Sequence, residues 1–220
     1  MSLLIKEKIK TALKLLSEPK VFYSLVSFRS FGYLLETGWF ESFKSGEPVD
    51  AELKPIPWFT YSAIDFLKER LNHTLSLLEF GSGNSTLFFA ERTNKIISIE
   101  HNKDWHQKIF SNLPENVELN YTSSATDKDY LQPLVENNIK FDVIIIDGIY
   151  RNECIMNSLN HLSERGVIIL DDSERQDYYP GIKFLSESRF KQLSFSGIAP
   201  GIFFRKCTSI FYRANNCLSL

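Results

Sequence analysis

The feature that most limits the fold of this chain is an alternation of apolar, β-compatible runs with helical stretches after His73. Strands are predicted at residues 75–80, 95–100, 117–122, 141–146 and 167–170. Such an alternation is typical of βαβ units, in which helices cover both faces of a parallel sheet. Two later strands, predicted at 191–195 and 208–213, have no helix between them and indicate an antiparallel pair at one edge. The predicted fold class is therefore α/β, a three-layer sandwich.

The length and charge of the chain narrow the classes of protein it can belong to. At 220 residues it can bury one sizeable core, because a domain takes about 100–200 residues. Its 25 basic and 27 acidic residues nearly cancel, so nucleic acid is not an expected partner. No apolar run approaches the roughly 20 residues that span a bilayer, and the first residues do not resemble a signal peptide. Cys154, Cys207 and Cys217 match no zinc motif, and free thiols in a cytoplasmic protein are expected.

The N-terminal third of the chain is predicted to be helical. In residues 3–16, apolar residues recur at helical spacing with lysines between them, which predicts a basic amphipathic helix. Such a helix could contact an anionic membrane peripherally. Packing on the domain, or on a second subunit of a homodimer, is the preferred interpretation. With further helices predicted within 21–46 and 61–71, residues 1–72 are assigned to a helical extension or lid and residues 73–220 to the main domain.

A connector stiffened by prolines, residues 54–61, leads into the main domain and carries Trp58 and Tyr61. Aromatic side chains held rigidly beside a ligand site are candidates for its wall. Most buried Trp and Tyr residues belong to a core, which is the other interpretation of this pair.

The first strand ends in a glycine-rich turn, and a helix begins directly after it. Glycines at 81 and 83 allow the backbone to turn sharply and to approach a ligand closely. The helix beyond presents unpaired N–H groups to negative charge. This turn predicts a site for a nucleotide-like ligand.

The identity of that ligand depends on three further residues. Glu100 ends the second strand about 20 residues after the first glycine, the spacing at which a carboxylate binds ribose hydroxyls. A dinucleotide site needs a third glycine where Thr86 stands. Glu79, two residues before the first glycine, suits a ligand with a cationic amino-acid end. The three residues together favour S-adenosylmethionine over a nicotinamide dinucleotide.

The turn resembles the glycine-rich first motif of the class I, Rossmann-like S-adenosylmethionine-dependent methyltransferases, with Ser85 in place of the usual third glycine. The similarity extends to Glu100 with its neighbour, to residues 141–148 and to residues 166–172. It implies a seven-stranded, mostly parallel sheet with an antiparallel last strand. The cofactor contacts implied by the resemblance and the turn are Glu79, Gly81, Ser82, Gly83, Asn84, Ser85, Thr86, Glu100, His101, Ser124 and Asp147.

Three aspartates follow the fourth and fifth strands, namely Asp147, Asp171 and Asp172. Because the carboxyl ends of parallel strands meet at one edge of a sheet, these acids are expected to face one site and to carry the catalysis. Mg²⁺ or another divalent cation could hold them together, an arrangement similar to metal-dependent O-methyltransferases. Arg151 and Arg175 could equally neutralise them, in which case no ion is required.

The expected reaction is transfer of a methyl group to a hydroxyl oxygen of a small molecule, a sugar or a glycan. An aspartate can remove the proton of the acceptor. The candidate acceptor contacts are Trp58, Tyr61, Tyr150, Arg151 and Arg175. Two alternatives stay open, a nicotinamide-dependent oxidoreductase and a non-catalytic nucleotide-binding module.

Overall fold

The computed structural model describes residues 2–110, 113–122, 126–135 and 139–220. Its strands are β1 (Ser76–Phe80), β2 (Lys95–Glu100), β3 (Val117–Tyr121), β4 (Phe141–Ile146), β5 (Leu162–Leu170), β6 (Lys191–Gly197) and β7 (Lys206–Tyr212). Within these ranges the strands form one seven-stranded sheet in the order β3-β2-β1-β4-β5-β7-β6. Neighbours among β1 to β5 pair in parallel, whereas β7 runs antiparallel between β5 and β6. The predicted mostly parallel sheet with an antiparallel last strand is confirmed.

Helices precede the sheet and connect its strands. They are α1 (Ser2–Ser17), α2 (Pro19–Ser27), α3 (Tyr33–Glu36), α4 (Trp39–Ser45), α5 (Tyr61–Arg70), α6 (Asn84–Ala90), α7 (Lys103–Phe110), α8 (Asp127–Val135), α9 (Arg151–Ser158) and α10 (Tyr179–Glu187). A 3₁₀ turn, Gln176–Tyr178, leads into α10. No helix of the described ranges combines the length and the apolar character that a membrane span needs.

The central strand β4 shows why the sheet has helices on both faces. Alternate residues of a strand point to opposite faces, yet its residues 143–146 are all fully buried. Val143 and Ile145 belong to the core cluster that includes residues of α5 and α6, while Ile144 and Ile146 belong to the cluster with α9 and α10. A strand covered on both faces is apolar along its length, and this accounts for the strong strand signal in the sequence.

The strand β5 begins earlier than predicted, at Leu162 rather than at Val167. Its first half contains Glu164 and Arg165, whose side chains are exposed. The apolar signal is weak there because Leu162 is the one buried residue before the continuously buried second half. The last strand also begins earlier, at Lys206 instead of residue 208.

The predicted N-terminal extension consists of two parts that pack differently. Trp39, Phe59 and Leu67 are buried in the same core cluster as β1 and β4, so residues 39–71 share the core of the main domain. By contrast, no described side chain of residues 6–36 is buried. The preferred packing of the first helix on its own domain is therefore not observed, and a second subunit and a lid stay predictions.

Candidate active site

A cleft with a volume of about 610 Å³ lies at the carboxyl ends of β1, β2, β4 and β5. The strand order reverses between β1 and β4, and ligands of open α/β sheets bind at such a point. The lining contains the glycine turn, the carboxylates of Glu100, Asp147 and Asp172, and the cations of Arg151 and Lys206. The volume falls within the range of roughly 300–1,000 Å³ that is usual for small-molecule sites.

Two glycines allow β1 and β4 to end against one another at the base of this cleft. Gly81 has φ +96°, and a Cβ atom there would lie 3.2 Å from the carbonyl of Asp147. A Cβ atom on Gly148 would lie 3.0 Å from the amide nitrogen of Gly81 and would also overlap the Tyr130 hydroxyl. Because neither position has room for a side chain, the backbone itself forms the base of the cleft.

The acid before the glycine turn lies beneath the turn and not in the cleft. Glu79 is buried, and its carboxylate accepts hydrogen bonds from Ser85 Oγ at 2.5 Å, Thr86 Oγ1 at 2.6 Å and Ser98 Oγ at 2.9 Å. The predicted contact of this acid with a cationic ligand end is therefore not observed, because three hydroxyl groups occupy its oxygens. Glu79 instead ties the turn to β2.

The side chains of the glycine turn fall into two groups, those that line the cleft and those that bond within the protein. Ser82 and Ser85 line the cleft, as predicted for cofactor contacts. Thr86 accepts the amide of Gly83 at 3.0 Å, and Asn84 Nδ2 donates to the carbonyl of Pro48 at 2.9 Å. These last three predicted cofactor residues hold the turn in shape, and they do not line the cleft.

The pH dependence of stability tests the buried position of Glu79. Burial raises the pKa of its carboxyl from 4.5 to about 7, against the opposing effect of its hydroxyl partners. The folded state therefore holds this proton more tightly than the unfolded state. We expect the free energy of unfolding to fall by about 3 kcal/mol from this group as pH rises from 4.5 to 7. Denaturant unfolding measured across that pH window should show a flatter profile for Glu79→Gln.

The matched control for that experiment is Glu52→Gln, since the Glu52 side chain is 72% exposed. Its pH profile should coincide with that of the unmodified protein. A Glu79→Gln variant with an unchanged slope would contradict the assignment of a buried, protonated Glu79.

The acid at the end of β2 faces the cleft as the sequence predicts. Glu100 is buried, and its Oε2 atom accepts hydrogen bonds from the amide and the hydroxyl of Ser82, at 3.0 and 2.8 Å. The Oε1 atom accepts the amides of His101 and Asn102 at 2.9 and 2.8 Å. Three of these four donors are backbone amides, and they fix the position of the Glu100 carboxylate beside the glycine turn.

Sequence reasoning missed Trp105 and Asn102, which also line the cleft. Trp105 Nε1 donates to the carbonyl of Ser82 at 2.7 Å, and its ring lies where a Cβ atom on Gly83 would be in contact. Asn102 Oδ1 accepts the amides of Asp104 and Trp105 and so begins α7. A capping Asn two residues after the strand-end acid was the available signal. The predicted contact Ser124 lies outside the described residues.

The three aspartates do converge, and basic side chains lie between them. Arg151 Nη2 lies 3.0 Å from Asp147 Oδ1, and Arg151 Nη1 lies 3.4 Å from Asp172 Oδ2. Lys206 Nζ lies 2.5 Å from Asp171 Oδ2 and 3.0 Å from Asp172 Oδ1. Burial alone would lower the pKa of Lys206, but the neighbouring carboxylates raise it. The cluster is therefore held together by protein cations.

Asp171 lies behind this cluster, with its side chain fully buried. Its Oδ1 atom accepts the hydroxyl of Thr208 on β7 at 2.8 Å, and Lys206 stands between it and the cleft. Asp171 therefore does not line the cleft, and its predicted catalytic role stays a prediction. The contact that the structure shows for its Oδ2 atom is the ion pair with Lys206.

A divalent cation does not fit this arrangement. Lys206 and Arg151 occupy the space between the carboxylates that an ion would need. Among the residues that the structure describes, no group of three or more His, Cys, Asp or Glu side chains is arranged to hold a metal ion. The predicted metal ligands Asp147, Asp171 and Asp172 are better described as members of ion pairs.

The proposed acceptor contacts are only partly brought together. Trp58 and Arg151 line the cleft, and the Trp58 indole donates to the carbonyl of Pro200 at 3.2 Å. Tyr61 is buried in the core. Tyr150 begins α9 in a left-handed conformation, and Arg175 is 55% exposed beside Asp172. These last three residues do not line the cleft.

Comparison with known proteins agrees with this geometry. Residues 78–173 match the model of a family described as a methyltransferase domain. No curated protein sequence matches the chain significantly.

Solved structures extend the agreement to most of the chain. A putative O-methyltransferase from Klebsiella pneumoniae has 18% identity and a TM-score of 0.57, covering 83% of this chain and 90% of that chain. A precorrin-6y C5,15-methyltransferase from Geobacter metallireducens has 17% identity and a TM-score of 0.53, covering 69% and 86%. An O-methyltransferase from Bacillus cereus, in complex with S-adenosylhomocysteine, has 19% identity and a TM-score of 0.50, covering 63% and 74%. Identities this low establish the fold alone.

The sequence match and the shared fold confirm the resemblance noted in the sequence. Residues 78–173 are thus similar to a methyltransferase domain, and the chain has the fold of the methyltransferases named above.

Proposed function

We propose that this protein transfers a methyl group from S-adenosylmethionine to a hydroxyl oxygen of a small molecule, sugar or glycan. The observation that carries the proposal is the position of Asp147. It lines the cleft directly after β4, beside Gly81 of the glycine turn and in the same cleft as Glu100. A site for the cofactor and a base for the acceptor therefore share one cleft.

The residues of the cleft suit the cofactor. S-adenosylmethionine, when bound, supplies an electrophilic methyl group on a sulfonium sulfur. The carboxylate of Glu100 would hold ribose hydroxyls, because the Ser82 hydroxyl that it now accepts can rotate away. Because Gly81 and Gly148 have no side chains, the cofactor can lie close to the strand ends. The carboxylates of the cleft favour a ligand with a positive charge.

Asp147 is better suited than Asp172 to accept the proton of the acceptor. Burial raises the pKa of Asp147, an effect that Arg151 and Lys206 oppose, and a carboxylate with a raised pKa is a stronger base. Both oxygens of Asp172 are already paired with cations, Lys206 at 3.0 Å and Arg151 at 3.4 Å. We assign Asp147 as the general base, and Arg151 as the cation that orients it.

A hydroxyl acceptor is consistent with the remaining lining. Trp58 and Ile202 provide apolar surface in the cleft, while Asp147, Arg151 and Lys206 provide polar groups. Sugars and phenols present both apolar and polar surface. Two of the similar structures are also described as O-methyltransferases, one of them as putative.

A thermal-shift titration against S-adenosylmethionine, S-adenosylhomocysteine and NAD tests the proposed cofactor. A ligand at 100 times its dissociation constant stabilises the folded state by about 2.7 kcal/mol, which raises the midpoint by roughly 5–10 °C in a chain of this size. We expect this shift with the two sulfur ligands and none with NAD. Added Mg²⁺ should change neither result, because basic side chains already pair with the acids.

Two variants make this titration specific for the site. Glu100→Gln should weaken binding by roughly 10- to 100-fold, since it removes charged hydrogen bonds to ribose. Glu118→Gln is the matched control, because Glu118 lies on β3 with its side chain 48% exposed. A shift with NAD alone, or equal affinity in the two variants, would refute the proposed cofactor site.

A further inference from the structure

The N-terminal arm, residues 2–36, contacts the hydrophobic core only near its end among the residues that the structure describes, where Leu34 packs on the core and Tyr33 meets Tyr61 edge to face. It comprises α1, α2 and α3, and neither α2 nor α3 has a buried residue. In soluble proteins, scattered exposed apolar residues are normal, but a contiguous apolar patch marks a binding surface. The question is therefore what covers the arm.

Large apolar side chains are concentrated on the arm. Leu13 and Leu16 of α1 are 63% and 64% exposed, and Tyr23 and Phe31 are 70% and 65% exposed. The same stretch exposes Val21, Leu25, Val26, Phe28, Tyr33 and Leu35. Aromatic and leucine side chains at such density are typical of helices that lie in the interface of a bilayer.

Basic side chains accompany this apolar surface. Residues 1–36 contain six of the 25 basic residues of the chain but only three of its 27 acidic residues, Glu7, Glu18 and Glu36. The arm is therefore net positive, while the remainder of the chain is net acidic. Lys6, Lys10 and Lys14 recur every four residues and so share one side of α1.

We propose that the arm docks on the surface of an anionic lipid bilayer, with α1 lying in the plane of the interface. Its lysines would face the lipid headgroups, while Leu13 and Leu16 enter the acyl boundary. The net positive charge of the arm favours an anionic bilayer over a second copy of the chain as its partner. A symmetric dimer through the arm would bring two net-positive surfaces together, whereas an anionic bilayer complements them. The proposal is independent of the reaction in the cleft.

Co-sedimentation of the full-length protein with lipid vesicles tests the proposal. We expect the protein to pellet with vesicles of equal parts phosphatidylglycerol and phosphatidylcholine, to stay in solution with phosphatidylcholine alone, and to be released by high salt. The charge variant Lys6→Gln with Lys10→Gln and Lys14→Gln should lose binding by roughly 100-fold, at about 1 kcal/mol per lysine. The apolar variant Tyr23→Ser with Phe31→Ser should lose at least about tenfold.

The matched control carries the same change of charge on other elements, as Lys128→Gln with Lys183→Gln and Lys191→Gln, all exposed. It should bind as the unmodified protein does, and all three variants should keep the thermal midpoint, since the residues concerned are exposed. Equal binding to neutral vesicles, full binding by the charge variant, or no binding at all would overturn the proposal. Sedimentation velocity that shows a dimer lost in the Tyr23→Ser and Phe31→Ser variant, without lipid binding, would assign the arm to a second copy.

Discussion

Asp147→Asn is expected to reduce methyl transfer by roughly 10²- to 10⁴-fold, the usual contribution of a general base. The asparagine keeps an oxygen that can face Arg151, which lies 3.0 Å from Asp147 in the native protein. It cannot accept the proton of a hydroxyl group. The loss should therefore appear in kcat, with the affinity for S-adenosylhomocysteine largely retained. Formation of S-adenosylhomocysteine in the presence of a sugar or phenol acceptor, chosen by screening a panel, provides the measurement.

Asp177→Asn is the matched control, because Asp177 is exposed in the 3₁₀ turn before α10 and lies outside the cleft. It should retain full activity. A fully active Asp147→Asn variant would remove Asp147 from the mechanism. If Asp172→Asn caused the larger loss of activity, the general base would be Asp172, after the end of β5.

Lys206→Met is expected to lower the free energy of unfolding by about 3–5 kcal/mol, because it leaves buried carboxylates without their cation. The Lys206 side chain is only 8% exposed, and that of Asp171 is completely buried. Burial raises the pKa of Asp171 well above its usual value, Asp147 adds to this, and Lys206 opposes it. Without the lysine, Asp171 must ionise alone or stay protonated. Denaturant unfolding at neutral pH gives the measurement.

The direction of the pH effect in this variant follows from the same pair. In the folded variant Asp171 has lost its cation, so its pKa is raised above that of an unfolded aspartate, about 3.9. The loss of stability caused by Lys206→Met should therefore become smaller as the pH falls towards that value. Adding Asp171→Asn to Lys206→Met should restore much of the stability, since the asparagine can still accept the hydroxyl of Thr208. Lys191→Met, at an exposed position on β6, is the matched control and should be nearly neutral. A Lys206→Met variant of native stability would show that the pair is not needed for folding.

The features of this protein that could be predicted from its sequence are those that depend on residues close together along the chain. Residues 143–146 are apolar because a strand covered on both faces needs no polar side. Gly81 marks the turn because its φ of +96° is available to glycine and strained for other residues. Glu100 follows at the spacing that one helix and one strand impose, and it lines the cleft as predicted.

The exact start of β5 was not predictable in this way. Its first half includes the exposed residues Glu164 and Arg165, and a partly exposed strand carries little apolar signal. The arm is the opposite case, because a periodic apolar pattern predicted packing on the domain that the described side chains of residues 6–36 do not show.

Only the tertiary structure decided which side chains face the cleft. Lys206 meets Asp171 across the pairing of β5 with β7, and nothing in the sequence near either residue indicates the other. Glu79 has the type and position of a ligand-binding acid, yet three hydroxyl groups from α6 and β2 enclose it. Local sequence determines whether a residue can lie at a strand end, because strand and turn preferences are short-range. Contacts between distant segments determine the direction of its side chain, its charge partner and therefore its chemistry.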